Sequence, residues 1–181
     1  MVHKPTQAAA KAAAKATGKA AGKAKGVAKS LEGQAGILKH LTEEHGKAAM
    51  LMQRIVSSSE DSDVREDLFP ELKRDLLAHA KGEEREFYPM LEKYPALGDL
   101  VARSLGQHRH VEERLNRLSA GRKDTEDWSG EFELLARAVG EHVRLEEDQI
   151  FPRAKELISK EMLSEMEVRY ERAEELVKSR L

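Results

Sequence analysis

His79-Ala80-Lys81-Gly82-Glu83-Glu84-Arg85-Glu86-Phe87-Tyr88-Pro89 returns 63 residues later as His142-Val143-Arg144-Leu145-Glu146-Glu147-Asp148-Gln149-Ile150-Phe151-Pro152. In each copy His and the first Glu are four residues apart, so on a helix they share one face. That face also carries leucine, valine or aromatic side chains at helical spacing, which makes it an apolar stripe with a histidine and a carboxylate set into it. The offset reaches beyond the two copies. His45 and His108, and Leu72 and Leu135, are also 63 apart. The chain therefore reads as two copies of one αα-hairpin, each giving a lone His from its first helix and a His-x-x-x-Glu from its second. Two such hairpins about a pseudo-two-fold axis form an all-α, antiparallel up-and-down four-helix bundle.

The helices themselves follow from the 3,4 period of apolar residues. The first carries Leu38, Leu41, His45, Ala48, Met52 and Ile55, and the polar run Ser57 to Asp63 ends it. The second is expected over about Val64 to Lys93, with Leu72, Leu76, His79, Glu83 and Phe87 inward and a kink or early end at Tyr88, forced by Pro89. The third spans about Leu97 to Ser119, with Val101, Ser104, His108, Val111 and Leu115 inward. The fourth starts near Trp128 and carries Phe132, Leu135, Val139, His142, Glu146 and Ile150. Ser159 is placed to cap a last helix reaching about Arg180, whose apolar face is Met162, Met166, Tyr170, Ala173 and Val177.

Six residues with metal-ligating side chains thus fall on core stripes: His45, His79, Glu83, His108, His142 and Glu146. One histidine on an apolar face is more often a hydrogen-bonded core residue than a ligand, and one His-x-x-x-Glu is commonplace. All six at a common offset are not explained by packing. A buried carboxylate needs a charge partner or a metal, and Glu83 and Glu146 are in register with histidines, not with Lys or Arg. Four imidazoles and two carboxylates suit two divalent ions, with the carboxylates able to bridge and coordination positions left open. Imidazole with carboxylate and no sulfur is compatible with Fe, Mn, Zn or Ni. His3, His40 and His110 lie off the stripes. Glu84 and Glu147 fit the rim, or accept a hydrogen bond from a ligating imidazole, and Glu112, four residues after His108, is a candidate further ligand. Phe87, Tyr88, Ile150 and Phe151 read as apolar wall, with hydrogen bonding by Tyr88 as the alternative.

Composition narrows the function classes. No Cys is present, which excludes disulfides, iron–sulfur clusters and thiolate zinc sites. No run is long and apolar enough to span a membrane and no secretory h-region is evident, so a cytoplasmic location is expected. Residues 1–31 form a low-complexity Lys/Ala tail, with seven Lys and no acid before Glu32; the rest carries 24 Lys and Arg against 33 Asp and Glu. The tail is expected to be disordered, since lysines repeat every four residues and glycines interrupt it. Its charge suits sequence-blind contact with DNA or another polyanion. Three segments result: the tail (1–31), the bundle (32–158) and a C-terminal helix (159–181).

From about Ile37 to Leu163 the chain resembles the hemerythrin-like family with the His–His–Glu cation-binding domain. The resemblance rests on Leu41-Thr42-Glu43-Glu44-His45, His79-x-x-x-Glu83-Glu84-x-x-Phe87-Tyr88-Pro89, His108, and His142-x-x-x-Glu146-Glu147-x-x-Ile150-Phe151-Pro152. It implies a non-haem di-iron centre of two Fe ions, ahead of Mn or Zn, and a small ligand such as O2, peroxide or nitric oxide. Oxygen-carrying members use five histidines, with His-x-x-x-His on the third helix; here the second of those positions is Glu112, which points away from reversible O2 storage. The expected function is a di-iron protein that binds, senses or reacts with such a ligand, catalase- or peroxidase-like turnover included, with no separate catalytic residue assigned. The alternative is a nucleic-acid-associated protein whose tail tethers the iron-binding bundle to DNA.

Overall fold

The computed structural model describes residues 35–59 and 63–181. The basic tail, with its expected disorder and polyanion contacts, lies outside the described residues. Five helices make up the rest, and no strand occurs among the described residues. Helix α1 is Ile37–Val56. Helix α2 is Val64–Gly82, carried on by a π-helical turn, Glu83–Phe87, and a last α turn, Tyr88–Leu91. A short 3-10 turn, Pro95–Leu97, leads into α3, Gly98–Ala120. Helix α4 is Glu126–Leu145, carried on by a second π turn, Glu146–Ile150, and by Phe151–Leu157. Helix α5 is Lys160–Lys178.

Two helix starts are set by side-chain caps. Thr125 accepts from the Trp128 amide at 3.2 Å and Ser159 from the Met162 amide at 3.3 Å, each satisfying an amide that has no partner within its helix.

The expected early end at Tyr88 does not occur: the helical run continues to Leu91 through a π turn. The Tyr88 amide bonds the Glu83 carbonyl and the Phe151 amide bonds the Glu146 carbonyl, each five residues back. Each π turn admits one extra residue, so Pro89 and Pro152 enter at the start of a fresh α turn, where a missing N–H leaves no bond unmade.

Two apolar clusters fill the bundle. One includes Ile37, Leu41, Phe87, Leu97, Phe151 and Met166; the other includes Met52, Leu72, Leu115, Trp128, Phe132 and Val139. In every bundle helix the His and Glu positions lie between residues of the first cluster and residues of the second. The six polar side chains therefore form one layer sandwiched by hydrocarbon. Each fully buried Leu or Phe in these clusters contributes about 1.5–3 kcal/mol, and this is the packing that holds the polar layer in place.

Helix α5 breaks the pseudo-symmetry, because it packs on α1, α2 and the first π turn, all of hairpin one. Leu163, Met166, Tyr170 and Ala173 are its buried face.

Candidate metal centre

The structure brings His45 (α1), His79 (α2), Glu83 (first π turn), His108 (α3), His142 (α4) and Glu146 (second π turn) to one place. The four imidazoles are 5–7% exposed and both carboxylates are fully buried. His45, His79, His142 and Glu146 present donor atoms all within 4.8 Å of one another, and so do Glu83, His108 and His142. His45 Nε2 is 3.2 Å from Glu146 Oε2, and His142 Nε2 is 3.5 Å from the same atom. Glu83 Oε2 lies 3.4 Å from His79 Nε2 and 3.2 Å from His108 Nε2. The two groups meet at His142, whose Nε2 is 3.2 Å from that of His108.

Behind three of the rings stands a carboxylate. Glu147 is 2.9 Å from His45 Nδ1, Glu84 is 3.1 Å from His108 Nδ1, and Glu44 is 3.0 Å from His79 Nδ1. An Nδ1–H donating outward leaves Nε2 with its lone pair directed into the centre, the tautomer that a metal takes up. His142 Nδ1 is buried without a hydrogen-bond partner.

Glu84 and Glu147 therefore do what the sequence suggested, accepting from an imidazole. Glu112 does not reach the centre; it is 44% exposed and 3.4 Å from Lys81. Tyr88 corrects the reading as plain wall. Its ring is buried, but its hydroxyl stands 2.9 Å from Glu146 Oε1, 3.2 Å from Glu83 Oε2 and 3.3 Å from His108 Nε2. On an unbroken α-helix a residue five positions after Glu83 would be turned about 140° away; the π turn brings it round. Two more polar residues were not singled out from sequence: Glu44, and Tyr170 of α5, whose hydroxyl donates to Glu44 at 2.6 Å. A tyrosine on the stripe of a helix outside the repeat is the only signal that could have marked Tyr170. Of the off-stripe histidines, His110 accepts from Arg114 in an exposed pair, and His40 is half-buried, edge-on to Tyr170 at 5.4 Å.

The metal-free electrostatics are those of a crowded layer. Burial works against the charged imidazolium of His45, but Glu146 and Glu147 outweigh it and lift its pKa to about 10. His108 is likewise opposed by burial and lifted, by Glu83 and Glu84, to about 9. His142 goes the other way, to about 3, pushed by burial and by neighbouring imidazoles against the pull of Glu146. Burial and the nearby Glu146 charge push Glu83 up. Glu146 stays well below the usual carboxylate range, because His142 and His45 overcome its burial.

The donor set passes a test for metal made on its own atoms. His45 Nε2, His79 Nε2, Glu83 Oε1 and Glu146 Oε2 are buried and make no hydrogen bond. They crowd together without satisfying one another, although a buried polar atom left unpaired costs about 1–3 kcal/mol. A divalent cation is the partner that all of them accept at once.

A cavity of about 90 Å³ leads to this layer, lined by Ala48, Leu76, Val139 and Val143, with Lys47, Asp75 and Lys178 also on its wall. It touches His45, His79 and His142. Its size suits water-sized or diatomic molecules.

Residues 36–154 match the Hemerythrin HHE cation binding domain. Among solved structures the chain is similar to the crystal structure of a Hemerythrin HHE cation binding domain-containing protein, the Rv2633c homolog from Mycobacterium kansasii. The TM-score is 0.69 and the identity 25%, covering 77% of this chain and 85% of that one. Among characterised proteins it is 24% identical over 138 residues to a DNA nickase from Nostoc sp. (strain PCC 7120); 76% of this chain is matched, but it spans only 39% of the nickase. No described helix is long and apolar enough to cross a membrane.

Proposed function

The chain belongs to the hemerythrin HHE cation-binding family, and on that premise we propose that it holds a non-haem di-iron centre that binds, senses or reacts with O2, peroxide or nitric oxide. The carrying observation is the buried layer of four imidazoles and two carboxylates whose donor atoms converge, with His45 Nε2, His79 Nε2, Glu83 Oε1 and Glu146 Oε2 left without a hydrogen bond. His45, His79, His108 and His142 are the terminal nitrogen ligands in this reading, and Glu83 and Glu146 the bridging carboxylates. Iron supplies the redox chemistry when bound; the chain supplies ligand geometry, tautomer and exclusion of bulk water. The small cavity supports a small ligand over an organic substrate, and it leads to the His45–His79–His142 side of the layer.

Metal analysis of protein purified from iron-supplemented cells tests this. About two Fe per chain is expected from the ligand count, falling below one in His79→Ala and Glu83→Ala. A wild-type protein with less than about one metal per chain overturns the reading. Peroxide consumption and nitric oxide binding by the loaded protein then separate turnover from sensing.

A second reading has its own support: the seven-lysine segment before Glu32, and the partial likeness to a protein named as a DNA nickase. In it the tail holds the bundle on DNA. Binding to a random duplex at low salt, abolished by deleting residues 1–31, is its test; full-length protein that ignores DNA at low salt ends it.

A further inference from the structure

We propose that Tyr170 is a positioning residue for the metal layer: acting through Glu44, helix α5 fixes the tautomer and orientation of His79, so that docking of α5 and metal affinity are coupled. The inference rests on the reading of the layer as a metal centre.

The first observation is a relay of short contacts. The Tyr170 hydroxyl is 2.6 Å from Glu44 Oε2, the same oxygen is 3.0 Å from His79 Nδ1, and the hydroxyl is itself 3.2 Å from that nitrogen. With a phenol donating to it and an imidazole N–H donating to it, the Glu44 oxygen has both its acceptor sites used and one orientation open to it. His79 can then present only its Nε2 to the centre.

The second is where the internal repeat fails. Glu147 behind His45 and Glu84 behind His108 are related by the 63-residue offset, as their histidines are. Glu44 is not part of that symmetry, since the corresponding position is Gln107. The corresponding ring, His142, has an Nδ1 with no hydrogen-bond partner. The carboxylate thus occurs only on the hairpin that α5 covers.

The third is the room made for the ring. A Cβ on Gly82 would stand 2.6 Å from Tyr170 Cε2 and 3.0 Å from Cδ2, a distance that no side chain can take without displacing the ring. The corresponding position in hairpin two, which α5 does not cover, is Leu145. Glu44, Gly82 and Tyr170 thus form one device added to one half of a duplicated bundle.

Coupling is reciprocal. If docked Tyr170 raises metal affinity by some factor, bound metal raises the docking equilibrium of α5 by the same factor. Helix α5 then reports the state of the buried layer at the protein surface.

The test is Co(II) titration, followed by visible absorption, of the wild type, Tyr170→Phe, Glu44→Gln and the double variant, with circular dichroism to establish that each folds. Removing an outer partner of a metal-bound imidazole lowers affinity about 10–100-fold. Tyr170→Phe is expected in that range for at least one Co(II), and the double variant should bind no more weakly than Glu44→Gln alone, because one relay is broken once. Amide exchange in α5 should slow on adding Co(II) to the wild type and not to Tyr170→Phe. Wild-type uptake with unchanged affinity in Tyr170→Phe overturns this inference alone, as does a Tyr170→Phe penalty that adds in full to that of Glu44→Gln. A wild type that takes up no Co(II) overturns the metal reading and this inference with it.

Discussion

The Tyr88 hydroxyl, from hairpin one, lies 2.9 Å from Glu146 Oε1, in hairpin two. The two positions corresponding to them, Phe151 and Glu83, cannot make the same bond, because Phe151 has no hydroxyl. One phenol therefore serves both carboxylates, the second at 3.2 Å. Its pKa is raised well above the usual phenol value by burial and by the Glu146 and Glu83 charges, so it stays a donor. Tyr88→Phe keeps the ring and its stacking on His108 but leaves an anionic oxygen without its donor. A hydrogen bond to a charged group is worth about 1.5–3 kcal/mol, and a loss of that size is expected in urea unfolding of the metal-free protein. Equal stabilities for the two proteins would show that the contact carries no energy.

Glu83 and Glu146 correspond under the repeat, yet their acidities are moved in opposite directions. Burial and the Glu146 charge favour the protonated form of Glu83, whereas imidazoles hold Glu146 ionised in spite of burial. Glutamine imitates a protonated carboxyl. Glu83→Gln should therefore cost less metal-free stability than Glu146→Gln, which strips a buried imidazolium of its counter-charge and should cost about 3 kcal/mol or more. Both should lose metal. Equal costs in denaturant would contradict the opposite directions of the two shifts.

Metal must displace protons from His45 and His108, whose pKa values of about 10 and about 9 keep them protonated at neutral pH. Uptake at pH 7 should release protons, those of these two rings among them, and apparent affinity should climb between pH 6.5 and 9. Without metal the sign is reversed. Raised values mean that the stability from these two rings is complete below the unfolded value of 6.5 and is lost as pH rises through 9 to 10. The depressed His142 works on the acid side: its contribution is complete above 6.5 and is lost as pH falls towards about 3. A metal-free stability maximum near pH 6–7, with a shift to higher pH on metal loading, is the expected pair of curves. Thermal melts across pH with and without Co(II), and calorimetry in two buffers, measure both quantities.

What made the six core polar residues visible in the sequence was duplication: a shared offset turned six weak signals into one. The bundle was visible for the same reason, and the cap at Ser159 is local chemistry that short-range pattern exposes; the cap at Thr125 went unread, since the apolar stripe of its helix begins only at Trp128. Three things were hidden for physical reasons. A π turn is a hydrogen-bond shift of one residue, and the apolar period does not register it. Glu44 has Gln107 in its corresponding position, so the offset that marked the histidines passes over it. Tyr170 lies outside the repeat, and only the docking of α5 on hairpin one reveals what its hydroxyl meets.

Two glycines under α5 separate docking strength from metal affinity. Gly36 has a φ of 58°, and an added Cβ there would meet the Leu163 carbonyl carbon and oxygen at 2.5 Å, backbone atoms with no rotamer to yield. Alanine at that position combines a positive-φ penalty with overpacking, and Gly36→Ala should cost about 2–4 kcal/mol. Gly82 is helical, so alanine there gains about 1 kcal/mol of helix propensity and sets it against displacement of the Tyr170 ring, worth about 1–3 kcal/mol. The net cost of Gly82→Ala should fall at about 0–2 kcal/mol, by the same two terms. Metal affinity should rank the other way. Gly36 touches the start of α5, far along the helix from the Glu44 relay, whereas Gly82 lies against the tyrosine that completes it. Gly82→Ala should therefore weaken Co(II) binding more than Gly36→Ala while destabilising the fold less. If the two variants rank alike in urea unfolding and in Co(II) titration, affinity follows overall stability and the Tyr170 contact has no separate effect on His79.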